Sequence, residues 1–223
     1  MAIKTDSRVT TARIMIVDDH PALCEGLGHR ISAPPDRTVC WQACDVDAAL
    51  KMIREIQPDV VIVDIALKNS DGLELIKAIK RRHQHICTLA HSMYDESLYA
   101  DRCLHAGAMG YVNKEANPDE VIKAIREILA GRVYLSPAMT SAVLGRTVSG
   151  AEPLADPMDT LTDRQLEVFR LIGEGQSAQQ IAQRLHISVH TVETHRENIK
   201  RKLDVNTVSE LTRRAVLWIA KQA

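Results

Sequence analysis

The stretch Pro58-Asp59-Val60-Val61-Ile62-Val63-Asp64 decides the fold. Pro58 breaks the chain before an unbroken β-branched run. A strand with one face in water alternates apolar and polar residues. An unbroken run suits a strand covered on both faces, as in a parallel sheet with helices on either side. This run ends on a carboxylate. Working outward, residues 14–17 form another short β-branched strand, ending at Asp18-Asp19, and Pro21 opens a helix over 21–32. Strands follow at 39–44, 86–90 and 110–112, and helices at 46–56, 72–82, 96–106 and 118–130. Gly107 and Gly131 close the last two helices. Five strands alternating with five helices predict an α/β doubly wound parallel sheet.

After Leu135 the texture changes. Residues 135–159 hold Pro137, Gly145, Gly150, Pro153 and Pro157 among Ser, Thr and Ala, and read as a linker with one helical turn near 139–144. From Thr160 the pattern is helical only. Thr162 with Gln165, and Ser177 with Gln180, fit capping boxes. Ser188 can cap a third helix running to about residue 203, and Thr207 a fourth. His186-Ile187 alone separates the second and third helices, the tight junction of a helix-turn-helix. The expected domains are 12–134, then a linker over 135–159, then an all-α four-helix domain over 160–223.

Bulk properties fit two small domains in 223 residues. Net charge is -1, but its distribution is uneven. Residues 12–134 carry 15 Lys/Arg against 18 Asp/Glu, whereas 160–223 carry 10 against 7. The first half is the more acidic and the second is basic, as a nucleic-acid partner would require. Cys24, Cys40, Cys44, Cys87 and Cys103 are odd in number and form no CxxC, so they read as reduced. No apolar run approaches the about 20 residues that span a bilayer. The start, MAIKTDSRVTTAR, lacks the apolar centre of a signal peptide. A soluble, cytoplasmic protein with no membrane partner is expected.

With strand order 2-1-3-4-5, the first and third strands are neighbours. Asp18, Asp19 and Asp64 then converge at the topological switch point, where such sheets bind ligands. Three carboxylates would repel one another unless they surround a hard cation such as Mg²⁺. Lys114 ends the fifth strand and Ser92 follows the fourth. Together they suit a phosphoryl site, with Asp64 as nucleophile, metal and Lys114 neutralising charge, and Ser92 donating a hydrogen bond. Taken singly each has a plainer reading. Asp64 would be a turn residue or cap, Lys114 a solvated lysine, Ser92 a turn former and Tyr111 a half-buried strand aromatic.

The set Val17-Asp18-Asp19-His20, Val63-Asp64, Asp71-Gly72, Ser92 and Gly110-Tyr111-Val112-Asn113-Lys114 resembles a flavodoxin-like response-regulator receiver over residues 12–134. The resemblance implies phosphotransfer from a cognate histidine kinase to Asp64. It implies Mg²⁺ held by Asp19, Asp64, the Ala66 carbonyl and, less directly, Asp18. It also implies that Ser92 and Tyr111 move on phosphorylation. Three departures stand out: Lys68 where the family often has Pro, Glu115 after Lys114, and His91 at a place usually apolar. His91 reads either as a satisfied or partly exposed histidine or as a pH-sensitive element of the switch. Phosphatases of the haloacid-dehalogenase type also use an Asp nucleophile, but carry a second acid two residues on. Ala66 stands there instead, so at most slow autodephosphorylation is expected. A receiver that acts unphosphorylated is the remaining rival.

Residues 161–203 resemble the LuxR-type helix-turn-helix of the NarL/FixJ class. The match is carried by Leu161-Thr162, Leu166-Glu167-Val168, Ile181-Ala182, Ile187-Ser188, Thr191-Val192-Glu193-Thr194-His195, Asn198-Ile199 and Lys202-Leu203. The third helix should enter the major groove of double-stranded DNA. His190, Glu193, Thr194 and Glu197 would face the bases. Arg196, Lys200 and Arg201 suit phosphates, with Thr191 and His195 as further backbone contacts. For Arg196, Lys200, Arg201 and Lys202 the plainer reading is a solvated helix end favoured by the dipole. Glu193, where relatives often have Lys, could accept from cytosine N4 or hold a neighbouring Arg. Val192, Ile199 and Leu203 should be core. The fourth helix carries Val208, Leu211, Ala215, Val216, Trp218 and Ile219, and the resemblance implies a homodimer on DNA through it. The expected coupling is a population shift in which phosphorylation frees the second domain to bind.

Overall fold

The computed structural model describes residues 11–67, 70–148 and 157–220. Residues 1–10, Lys68 and Asn69, the stretch 149–156 of the predicted linker, and residues 221–223 lie outside the described residues. The chain divides into two compact units, Met1–Val143 and Leu144–Ala223.

The first unit runs β1 Ala12–Val17, α1 Pro21–Ser32, β2 Arg37–Ala43, α2 Val46–Ile56, β3 Val60–Val63, α3 Gly72–Arg82, β4 Cys87–Ser92, α4 Glu96–Ala106, β5 Gly110–Asn113 and α5 Asp119–Leu129. The five strands form one sheet in the order β2-β1-β3-β4-β5. All pairings are parallel. Every residue of β3 is buried, as the unbroken apolar run predicts. Ile14, Ile16, Val60, Ile62, Leu89 and Val112 pack together with Leu27 and Ile31 of α1 and Val121, Ile125 and Ile128 of α5. Each such side chain contributes about 1.5–3 kcal/mol when fully buried.

Register places the carboxylates. Val17 pairs with Val63, so Asp18 and Asp64 leave the sheet side by side. Ser92 pairs with Asn113, which sets Lys114 one residue beyond the last pair.

The predicted helices over 21–32, 46–56, 72–82 and 96–106 match the observed bounds. The strands differ at their ends. β4 continues through His91 and Ser92 because both find partners on β5, Val112 and Asn113, which local polarity does not reveal. β2 begins two residues early, where Arg37 pairs with Ala12, and its register shifts between Ile14 and Met15 of β1.

The region beyond α5 is more ordered than a linker. Tyr134 docks on the outer edge of β5: the Tyr111 N–H donates to its carbonyl at 3.1 Å, and its own N–H to Met109 O at 2.9 Å. An exposed sheet edge is a template for unwanted pairing, and this segment covers it. Ser136 Oγ then accepts from Met139 N at 3.2 Å and opens α6, Pro137–Val148, with Pro at its first position. Where one helical turn was expected, a helix of 12 residues forms.

The second unit begins with a 3₁₀ turn, Pro157–Thr160, and continues with α7 Asp163–Gly173, α8 Ala178–Arg184, α9 Val189–Leu203 and α10 Val208–Ala220. Both predicted capping boxes are made, Thr162 with Gln165 and Ser177 with Gln180. Ser188 caps α9 through Thr191 N at 3.0 Å. Thr207 accepts from Glu210 N at 3.1 Å, while the Glu210 carboxylate reaches Asn206 N at 3.3 Å. His186, in the turn between α8 and α9, adopts φ 53, a left-handed conformation costly for a side chain with Cβ. Val192, Ile199 and Leu203 are buried, with Leu211 and Ala215 of α10. Gly173 lets α7 approach α10 closely: a Cβ there would lie 2.7 Å from Ala215 O.

Candidate functional site

Asp18, Asp64 and Lys114 meet at the C-terminal ends of β1, β3 and β5. Lys114 Nζ lies 2.6 Å from Asp64 Oδ2 and 2.7 Å from Asp18 Oδ2. The other Asp64 oxygen, Oδ1, accepts from Ala66 N at 2.8 Å, which fixes the carboxylate's orientation. Gly72 makes room for this arrangement, because a Cβ there would lie 2.1 Å from Asp64 O. Asp71 caps α3 by accepting from Leu73 N and Glu74 N, which holds Gly72 at that spot.

Burial dominates the electrostatics. It pushes the Asp64 carboxyl above its usual range, Asp18 adds to the rise, and Lys114 offsets part of it. For Lys114, burial pulls downward, but the Asp64 and Asp18 carboxylates outweigh it and the ammonium is held above its ordinary value. Asp18, Asp19, His20 and Asp64 each offer a ligand atom, all within 4.8 Å of one another. Three of the four donors are carboxylate oxygens, a set that suits a hard divalent cation. This cluster could hold a metal ion.

Ser92 is fully buried at the end of β4, and its Oγ accepts from Tyr94 N at 3.2 Å. Tyr111 is buried, not half-buried, since both Tyr134 and the β4–α4 loop pack around β5. Its hydroxyl donates to Tyr94 O at 2.7 Å, and Asn113 Nδ2 donates to the same oxygen at 2.8 Å. Burial raises the phenol, and the hydrogen bond with Ser92 offsets only part of the rise. Ser92 and Tyr111 therefore share one hydrogen-bonded loop, Met93 to Asp95.

His91 is buried on β4, and its imidazole is pulled down to about 4 by burial first and Lys114 second. It is neutral near pH 7, against the reading that makes it a pH-sensitive switch element. His20 lies within the receiver-like motif, where the sequence assigns it no role of its own. Its Nδ1 lies 3.1 Å from Asp18 Oδ1 and 3.0 Å from Asp19 Oδ1. The available signal was its place directly after two acids, at a helix N-cap where histidine is not a preferred residue. None of the five cysteines forms a disulfide, and burial raises Cys24 to about 11.

On α9 the expected groove-facing residues His190, Glu193, Thr194 and Glu197 are exposed. The expected phosphate-binding residues are paired one turn back. Arg196 Nη1 donates to Glu193 Oε1 at 3.0 Å, Lys200 pairs with Glu197 at 2.9 Å, and Arg201 Nη2 donates to Asn198 Oδ1 at 2.7 Å. Exposed helix ion pairs are worth about 0.3–0.5 kcal/mol, but here only the Glu193 and Glu197 ends are exposed, the Arg196 and Lys200 side chains being 18% and 16% exposed. Glu193 thus holds a neighbouring Arg in this chain, the second of the two readings above. Thr191 shares a 2.8 Å hydrogen bond with Ser188 inside the cap. Thr194 Oγ1 donates to His190 O at 3.0 Å. His195 is half-buried, and burial first, then Arg164, lowers its imidazole. It is therefore poorly suited to meet a phosphate as a cation. Lys202 is spent structurally, donating to Thr160 O and Gln165 Oε1, both at 2.8 Å.

A doubly wound unit with acids and a lysine at its switch point, followed by a helix-turn-helix unit, is the makeup of a receiver-and-DNA-binding regulator. The family described as response regulator receiver domain matches residues 14–126, and that described as bacterial regulatory proteins, luxR family, matches residues 159–215. The chain belongs to the NarL/LuxR family of two-component response regulators. It is 34% identical to the transcriptional regulatory protein LiaR of Bacillus subtilis, across 87% of this chain and 92% of LiaR. It is 32% identical to the nitrate/nitrite response regulator protein NarP of Escherichia coli, across 89% of this chain and 91% of NarP. Among solved structures, a LuxR-family response regulator from Aurantimonas sp. SI85-9A1 is 37% identical, with TM-score 0.58 over 62% of this chain and 99% of that one. RcsB of Salmonella enterica serovar Typhimurium, bound to promoter P1flhDC in the presence of phosphomimetic BeF3-, is 25% identical, with TM-score 0.55 over 91% of this chain and 97% of that one. No helix among the described residues is long and apolar enough to cross a membrane.

Proposed function

We propose that this chain is a phosphorylation-dependent transcription regulator of the cytoplasm. Asp64 accepts a phosphoryl group from a histidine kinase, and the C-terminal unit binds double-stranded DNA as a homodimer. The observation that carries this reading is Lys114 Nζ bridging Asp64 Oδ2 and Asp18 Oδ2 across three strand ends. We assign residues 12–134 to the receiver, 135–159 to the connection and 160–223 to the DNA-binding domain.

Asp64 supplies the attacking carboxylate, its Oδ1 fixed by the Ala66 N–H. Lys114 stands against Oδ2 to neutralise charge on the incoming group. Asp19, Asp64 and the Ala66 carbonyl, with Asp18 less directly, would hold Mg²⁺, which would supply further charge neutralisation. Ser92 turns from Tyr94 N toward the phosphoryl oxygens, and the loop that also holds the Tyr111 hydroxyl moves with it. Ala66, in place of a second acid, leaves no general acid to hasten hydrolysis, which favours a lasting phosphoprotein over an enzyme.

For the DNA-binding domain, α9 presents His190, Glu193, Thr194 and Glu197 to the groove, flanked by Arg196, Lys200 and Arg201 on phosphates. Thr191 and His195 lie nearer the unit's own packing. Val208, Val216 and Leu217 of α10 are exposed apolar residues, and they support dimerisation through this helix. Half-sites about one helical turn apart are expected. The promoter-bound RcsB, captured with a phosphomimetic, supports both halves of the reading by likeness.

Labelled acetyl phosphate tests it, with and without Asp64→Asn. Stable label lost in the variant supports a regulator. Turnover would mean an enzyme, and no label a receiver that acts unphosphorylated.

A further inference from the structure

Among the described residues, His20 is the one imidazole in the carboxylate cluster. It occupies the N-cap of α1, yet its side chain makes no capping hydrogen bond. The ring turns back instead, with Nδ1 at 3.1 Å from Asp18 Oδ1 and 3.0 Å from Asp19 Oδ1. Its own N–H donates to Asp18 Oδ1 at 2.9 Å, which ties backbone and ring to the same carboxylate. Pro21 follows and restricts the backbone conformation His20 can adopt.

These spacings bear on ligation. In an octahedral site with donors at about 2.1 Å, neighbouring donors stand about 3.0 Å apart. The imidazole nitrogen already holds that distance from two carboxylate oxygens. The hydrogen bond to Asp18 and the close contact with Asp19 keep the nitrogen at ligand spacing from each oxygen, which prepares it for a cation bound beside them. The donor set is thereby mixed, with oxygens from Asp18, Asp19 and Asp64 and one nitrogen. Carboxylates suit Mg²⁺ and Mn²⁺, whereas imidazole favours later first-row cations such as Co²⁺, Ni²⁺ and Zn²⁺.

We propose that His20 is a protein ligand of the divalent cation at the Asp64 site, and that it widens the site's acceptance beyond Mg²⁺ toward imidazole-preferring cations. The inference rests on the metal-assisted phosphoacceptor reading above. It adds a residue that sets which cation the regulator uses.

Pulsed electron paramagnetic resonance of the full chain loaded with Mn²⁺ reads the ligand set directly. The expected result is nitrogen modulation from a bound imidazole, lost in His20→Ala, with Mn²⁺ binding itself lost in Asp64→Asn. Calorimetric titrations provide the second readout. Co²⁺ affinity should fall on the order of tenfold in His20→Ala and His20→Gln, while Mg²⁺ affinity changes much less. Mn²⁺ bound at Asp64 with no imidazole signal, or with a signal that survives in His20→Ala, overturns the proposal and leaves the metal reading standing. Failure of the wild-type chain to bind Mn²⁺ stoichiometrically overturns both.

Discussion

Lys114 and Asp64 are joined at 2.6 Å, with side chains 4% and 1% exposed, so their pairing is almost wholly out of water. Asp18 completes the group at 2.7 Å. Removing one partner of a buried ion pair costs about 3–5 kcal/mol, because the remaining charge stays desolvated. Lys114→Met is expected to destabilise the metal-free chain by about that amount, and Mg²⁺ to restore part of the loss. Denaturant unfolding with and without Mg²⁺ measures both. A variant as stable as wild type without cation would show that the pair holds nothing.

His91 behaves as a buried neutral imidazole. Its folded value, about 4, lies below the ordinary 6.5. The unfolded chain therefore binds the proton first. The group's contribution to stability is present above about pH 6.5 and is lost as pH falls toward 4. His91→Leu should flatten the acid side of the stability profile across that window. Lifetimes of the phosphorylated form should run parallel in the two proteins between about pH 6 and pH 8. Diverging lifetimes would restore His91 as a pH-sensitive switch element.

Gly72 is required by contact, not by backbone freedom. A Cβ would meet Asp64 O at 2.1 Å and Ile65 Cα at 2.6 Å, and both are backbone atoms that cannot swing away. Gly72→Ala is expected to cost about 1–3 kcal/mol or more. It should also slow labelling at Asp64 by displacing the carboxylate from Lys114. Normal labelling kinetics in a folded variant would refute the second part.

Arg201 and Lys202 are adjacent basic residues with different expected roles. Arg201 is exposed and, among the described residues, donates to Asn198, so Arg201→Ala should weaken DNA binding evenly across sequences and lower the salt slope by about one. Lys202 ties α9 to Thr160 and Gln165, so Lys202→Ala should lower the melting temperature of the second unit and leave the salt slope nearly unchanged. Binding across a salt series, beside thermal unfolding, separates them. The opposite assignment would mean that Lys202 leaves Gln165 to reach a phosphate.

The candidate site was legible to different depths. Asp64 and Lys114 could be placed because each directly follows a strand whose residues are readable one by one. Their pairing then followed from the strand order. The depth of Tyr111 is not legible locally, because nothing near it in sequence announces that Tyr134 returns to cover its strand. His91 left two readings open for the same reason. Its burial comes from surrounding elements, and its neutrality from that burial together with Lys114.

The amino-acid sequence by itself determined the strands and helices, the two capping boxes and the acids at the strand ends. Those features depend on periodicity and on hydrogen bonds within about four residues. Only the tertiary structure decided how deep the Asp64–Lys114 pair lies, that His20 reaches Asp18 and Asp19, that the expected linker opens as a long helix, and that Lys202 faces its own unit. Most of those outcomes depend on partners distant in the chain. Even His20, a near neighbour of both acids, turns its ring to them rather than to the helix it caps, which local pattern does not announce. Burial and charge are properties of where the chain returns, and a local pattern does not contain that information.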